Sequence, residues 1–161
     1  MSVTVKSADR VLQILELLTE DERAQGPSFP FWHNVETKPL DFSRGPRTEA
    51  RDPIFRDWER FVPTSTFDDR WVDACRSLIL IDTLGWPAVM RYHVGDHGVM
   101  APSIDVSVGF HRFRCEEPWL LARSQSPSAH AGIVGGRGDV WSRDGELLAT
   151  GSCQMLCRPV R

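Results

Sequence analysis

The sequence predicts an α+β fold in which an antiparallel sheet wraps around one long central helix. Three observations lead there. The stretch Leu78 to Leu84 is apolar almost all round at helical spacing, and a helix apolar on every side is a buried helix. Ile104 to Arg112 alternates between apolar and polar residues, the mark of a strand with one covered face. At 161 residues the chain is the size of one domain, so its strands must share that helix as their core.

Read in order, residues 4–18 carry a helix signal. Thr4 or Ser7 can cap it, and Val11, Leu12, Ile14, Leu15 and Leu18 recur at helical spacing. This opening resembles the first helix of the winged-helix domain in IclR-type transcription regulators. Nothing after Gly26 supplies the further helices and hairpin of a winged helix, so it reads as a chance likeness, a fusion remnant or a capping helix rather than a DNA reader. Thr19 to Pro30, with Gly26, Pro27 and Pro30, reads as a linker. The expected division is therefore an N-terminal helix and linker over residues 1–27 and one domain over residues 28–161.

Phe31 to Leu40 reads as a strand, residues 41–53 as a loop, and Phe55 to Val62 as a second strand stopped by Pro63. In that second strand Phe55, Asp57, Glu59 and Phe61 share one parity, and Arg56, Trp58, Arg60 and Val62 share the other. Asp68 or Asp69 caps the central helix, which runs through Trp71, Val72, Cys75, Leu78, Ile79 and Asp82 toward Gly85-Trp86-Pro87. After Gly98 the period changes to that of a strand. Ile104, Val106, Val108 and Phe110 fall on one face, with Asp105, Ser107 and Gly109 on the other. Trp119 to Ser124, Ile133 to Trp141 and Leu147 to Leu156 are further strands, the last two joined by a turn at Arg143-Asp144-Gly145-Glu146. One long helix wrapped by such a sheet is a single hotdog fold.

Composition narrows the chemistry. Hydrophobic residues make up 41% and charged ones 25%, and 19 Lys+Arg against 22 Asp+Glu give a formal charge of -3. A broad phosphate-binding surface needs a basic excess, so nucleic acid is not an expected partner. No apolar run is longer than the four residues Leu78 to Ile81, far short of the ~20 residues that span a bilayer. No secretory signal is visible at Met1 to Arg10, so the expected location is cytoplasmic and no membrane partner is expected. Cys75, Cys115, Cys153 and Cys157 include no Cys-x-x-Cys pair. His93, His97 and His111 show no zinc-ligand spacing, so neither a metal nor a cofactor is expected.

A series of motifs then follows in order. It comprises Ile81-Asp82-Thr83-Leu84-Gly85-Trp86-Pro87, Ala101-Pro102-Ser103-Ile104-Asp105-Val106-Ser107-Val108-Gly109-Phe110-His111-Arg112 and Trp119-Leu120-Leu121. It continues through Ser126-Pro127-Ser128-Ala129, Gly138 to Gly145, Leu148-Ala149-Thr150 and Gln154-Met155-Leu156-Cys157-Arg158-Pro159. As an ordered series this resembles the C-terminal half of the bacterial acyl-CoA thioesterase II family. The resemblance implies hydrolysis of acyl-CoA to a free acid and CoA by a water held between an Asp, a Thr or Ser hydroxyl and a Gln. By residue match the Asp falls on Asp105 and the Gln on Gln154. The hydroxyl position falls on Pro127, a departure from the pattern; Ser126 and Ser128 flank it, and one of them can substitute. That family carries two hotdog units per chain, and residues 1–27 are too short to build one. The expected partner is therefore a second copy, in a dimer of hotdog units.

The residues suit that chemistry. Hydrolysing a thioester needs a positioned water, a group to take its proton and donors for the developing oxyanion. Asp105 lies on the parity opposite the apolar face, so it points to the outer side of the sheet or into a cleft between units. Gln154 offers both a donor and an acceptor to a water beside a carboxylate. Asp82 on the buried helix is either a packing polar group or a second site carboxylate. His111 could meet the ligand, and Arg112, Arg114, Arg123, Arg158 and Arg161 could pair with CoA phosphates. Gly132 to Gly138 lacks the Lys-Ser/Thr of a phosphate loop and reads as a place of close helix or strand approach. The alternative function is a hotdog that binds acyl-CoA or lipid without turning it over.

Overall fold

The structure, a computed structural model, describes residues 30–40, 49–93 and 99–159. The expected helix over residues 4–18, the 27/28 division, His97 and Arg161 lie outside the described residues. Pro30–Asn34 forms a 3-10 turn and strand β1 covers Val35–Pro39. The expected strand from Phe31 is thus half turn. Proline fixes φ for a turn, and the Asn34 side-chain amide donates to the Pro30 carbonyl at 3.4 Å. Strand β2 is Ile54–Phe61.

Helix α1, Arg70–Thr83, starts where Asp69 accepts from the Trp71 and Val72 N–H groups at 2.8 and 3.3 Å, satisfying two orphan donors. Helix α2, Gly85–Tyr92, follows after Leu84 alone. The sequence reading ended the helix at Gly85-Trp86-Pro87. Pro87 instead sits in the first turn of α2, where a missing N–H breaks no helical bond. The rest is β3 (Val99–Met100), β4 (Ser103–Phe110), β5 (Leu120–His130), β6 (Ile133–Trp141), β7 (Leu147–Leu156) and β8 (Arg158–Pro159). β5 continues well past the expected end at Ser124, through Pro127, because a register shift between Gln125 and Ser128 accommodates the proline.

Six strands form one sheet in the order β1-β2-β5-β6-β7-β4, and β3 pairs with β8; every pairing is antiparallel. The sheet wraps the α1–α2 rod, the hotdog arrangement. Leu80, Ile81 and Leu84 of the rod pack against Leu120, Ala122, Val140, Leu148 and Ala149. The glycine-rich strand β6 is the contact line. A Cβ at Gly138 would stand 3.0 Å from Ile81 Cγ1 and 3.3 Å from its Cα, so a side chain there would press on the rod, and one at Gly136 would stand 2.6 Å from the Cys153 Sγ.

Two polar features lie within this core. Arg76, 2% exposed, pairs with Asp73 at 2.7 Å and donates to the Ser65 and Glu117 carbonyls at 2.8 Å each. It ties the segments before α1 and β5 to the helix. On β2, Asp57 and Glu59 are 3% and 0% exposed. Phe55 and Phe61 share their parity and pack on the central cluster, so the acids turn inward with them. Outside, Lys38 and Arg60 lie over the Trp119 ring at 3.9 and 4.9 Å. Desolvation pushes the Asp57 carboxyl up to about 6. Desolvation, and then the neighbouring Asp57 charge, push Glu59 up to about 9.

Candidate active site

The strand register aligns the expected residues. Asp105 on β4 stands directly opposite Gln154 on β7. Gln154 stands opposite Gly135 on β6, and Gly135 opposite Ser128 on β5. Side chains of direct antiparallel partners point to the same face, with Cβ atoms ~4.5–5.5 Å apart. Asp105, Gln154 and Ser128 therefore lie in one row on the outer face, and all three are exposed. Strands stand ~4.8 Å apart, so without Gly135 the Ser128 hydroxyl would be one strand too far from Gln154. Its Oγ lies 2.9 Å from the position a Gly135 Cβ would take. The hydroxyl fills the place of the missing side chain, and Gln154 has Asp105 on one flank and Ser128 on the other.

Ser126 does not join this row. It is buried at 4% exposure and its Oγ donates to the Gly135 carbonyl at 3.0 Å. The two serines would share a face in an unbroken strand; the register shift at Pro127 adds one residue and turns Ser128 outward. A proline inside a strand pattern is the sequence signal for that inversion. A second shift, between Ser103 and Asp105, leaves Ile104 56% exposed, whereas the sequence placed it on the inner face. Val106, Val108 and Phe110 keep to that face and pack on the core.

Asp82 is half-buried on α1, with Oδ1 shielded from solvent and without a hydrogen-bond partner. Burial raises its carboxyl above the usual range, and a hydrogen bond with the Ser103 side chain opposes the rise. Cys153, opposite Val106 on the inner face, has its thiol pushed up to about 11 by burial and by the nearby Asp82. His111, just past the end of β4, is hydrogen-bonded to Thr150 through Nε2 at 2.9 Å. Arg112 pairs with Glu146 at 3.2 Å, Arg114 with Asp144 at 2.6 Å and Arg123 with Asp139 at 3.1 Å. These three cations already have anionic partners within the chain. Arg158 is exposed on β8, in the two-stranded sheet with β3. Among the described residues no cluster of His, Cys, Asp or Glu is arranged to hold a metal ion, and no helix is long and apolar enough to cross a membrane.

Comparison with known proteins agrees with the architecture. A family model described as the acyl-CoA thioesterase C-terminal domain matches residues 14–156. The acyl-CoA thioesterase II TesB2 of Mycobacterium marinum is 24% identical with a TM-score of 0.63, over 84% of this chain and 54% of that one. The tesB protein of Mycobacterium avium subsp. paratuberculosis is 24% identical with a TM-score of 0.61, over 84% and 52%. Zebrafish thioesterase superfamily member 2 is 16% identical with a TM-score of 0.57, over 96% and 99%. The chain thus spans about half the length of the two mycobacterial proteins. No curated protein matches the sequence closely enough to count as a relative.

Proposed function

The chain belongs to the acyl-CoA thioesterase C-terminal-domain family, and from that premise we propose that it hydrolyses acyl-CoA thioesters to a free acid and CoA. The observation that carries the reading is the row itself: an acid, an amide and a hydroxyl on three different strands, in register on one face. The Asp105 carboxylate takes a proton from a water as the water oxygen bonds to the thioester carbon. The Gln154 amide and the Ser128 hydroxyl orient that water, since both can donate and accept. The tetrahedral intermediate then expels the CoA thiolate, which takes up the proton and leaves Asp105 ionised again. No covalent enzyme intermediate is required, because a thioester is already an activated acyl group.

The site is completed by a second copy. Asp105 is exposed in the single chain, whereas general-base catalysis works best in a water-excluded cleft. The two sheet edges differ in a way that supports pairing. The β1 edge is five residues long and carries Lys38 and Pro39, which discourage strand addition. The β4 edge has eight residues, no Lys or Pro, and Ile104 turned to solvent. A second copy against β4 would cover Asp105.

The test is a thiol-release assay across short, medium and long acyl-CoAs, run beside a native mass measurement. Release of CoA by a species of twice the 18.2 kDa chain mass is the expected result. Tight acyl-CoA binding without release would favour the alternative of a binding protein, for which the exposure of Asp105 in the single chain is the supporting observation.

A further inference from the structure

The outer face of the sheet carries a second row beside the first. Two residues along β4, β7 and β6 from Asp105, Gln154 and Gly135 stand Ser107, Ser152 and Arg137. Ser107 is opposite Ser152, Ser152 opposite Arg137, and Arg137 opposite Gln125 of β5. Two hydroxyls, a guanidinium and an amide thus lie in register on four strands, and all but the half-buried Gln125 are exposed. Each can donate a hydrogen bond and none is an anion. The next row along satisfies its own groups: Asp139 is taken by Arg123 at 3.1 Å, and Thr150 by His111 at 2.9 Å. Among the described residues no carboxylate is paired with Arg137.

A row of donors around an unpaired cation lacks only an acceptor, and its position says where on the substrate that acceptor lies. Two strand residues span about 7 Å, and an extended arginine side chain covers much of that distance, so the anion it meets stands close to the reacting carbon. The CoA phosphates are at the far end of the pantetheine arm, well beyond one row. The oxyanion of the intermediate needs donors that are fixed beforehand, and no partner within the chain fixes Arg137. The acyl group itself remains. We propose that this second row binds a carboxylate at the end of a short acyl group, so that the preferred substrates are CoA thioesters of short dicarboxylic acids. The inference rests on the hydrolase reading above and names its substrate class. Arg137 takes the carboxylate through two parallel N–H donors, and the Ser152 hydroxyl, directly opposite, donates beside it. Arg137 is on β6 and Asp105 on β4, with β7 between them, roughly 10 Å apart across the sheet, so the bound anion stands clear of the general base.

The experiment compares thiol release from glutaryl-CoA and valeryl-CoA, which differ only in the terminal carboxylate, each corrected for its rate without protein. Binding is measured beside it, by titration calorimetry on the full chain, with the matching non-hydrolysable thioethers S-carboxybutyl-CoA and S-pentyl-CoA. For the native chain, kcat/KM should be at least about tenfold higher for glutaryl-CoA, and the carboxylated thioether should bind at least about tenfold more tightly. In Arg137→Gln both ratios should fall to within about twofold of one, with the thermal midpoint kept because the side chain is exposed. Release from both thioesters by the native chain with both ratios near one would overturn the carboxylate row and leave the hydrolase reading intact. So would an equal fall of both rates in Arg137→Gln with the ratio kept, which would assign Arg137 to the reaction step instead. A preference for the carboxylated thioether that depends on Arg137, without any CoA release, would leave the row standing and defeat the hydrolase reading. No preference and no release would defeat both.

Discussion

Asp105 and the pair Asp57–Glu59 are strand carboxylates in eight-residue strands of the same sheet, yet they stand on opposite faces of it. Asp105 shares its parity with Ser107 and Gly109, so the apolar residues between them take the core and leave it hydrated beside Gln154. Asp57 and Glu59 share theirs with Phe55 and Phe61, so the two rings carry the acids inward. Asp57 Oδ1 and both Glu59 oxygens then find no separate donor. Neighbours of equal parity thus decide whether a carboxylate is available for chemistry or is desolvated in the core.

The comparison predicts that polar changes on the outer row affect rate, while those on the inner pair affect stability. After Asp105 itself, the largest effect of the kind is expected for Gln154→Ala. Its kcat should fall on the order of a hundredfold, with the thermal midpoint unchanged because the side chain is exposed. A matching loss of stability would place Gln154 with the inner pair.

Glu59→Gln should do the opposite. It removes the penalty of desolvating a carboxylate, so urea unfolding at pH 8 should show a gain of about 1–3 kcal/mol with kcat within twofold. The pH dependence has a definite sign. The folded chain holds protons on Asp57 and Glu59 up to about 6 and about 9, whereas the unfolded chain releases them near 3.8 and 4.5. Their stabilising effect is fully present below the unfolded values and is lost as pH rises through the folded ones. The urea midpoint should therefore drop between pH 5 and pH 9. Glu59→Gln should flatten the decline between pH 6 and pH 9 and leave below pH 6 only the share that Asp57 contributes. A midpoint that rises over this range would mean that the pair is ionised and compensated.

The smallest effects separate two serines only two residues apart. Ser128→Ala should lower kcat about tenfold without changing stability. Ser126→Ala should leave kcat within twofold and lose about 1 kcal/mol, the net value of its hydrogen bond to the Gly135 carbonyl. Reversed results would mean that the strand runs through Pro127 without the shift.

Much of this was legible because it depends on period. The rod around Leu78, the alternation of β4 and the turn at Gly145 follow from local spacing, and so does the outward direction of Asp105. What escaped depends on contacts far away in sequence. The bulges at Ile104 and Pro127 reverse parity midway along a strand, so Ile104 left the core and the paired candidates Ser126 and Ser128 parted. The 3-10 turn at Pro30–Asn34 and the extension of the helix past Pro87 are boundary effects that propensity resolves poorly. The inward acids were missed for another reason. The alternation of β2 is the same whichever face is buried, and only the packing of Phe55 and Phe61 against the core decides. The role of Gly135 as the empty place beneath the Ser128 hydroxyl emerges only from the pairing of three strands.

The central claim is that the carboxylate opposite Gln154 takes the proton of the attacking water. Asp105→Asn keeps the shape of the side chain and removes its basicity, so single-turnover hydrolysis of a medium-chain acyl-CoA isolates that step. The account predicts a rate at least a thousandfold lower, with S-alkyl-CoA affinity and thermal midpoint as in the native chain. A rate within about threefold of native, at unaltered affinity, would contradict it.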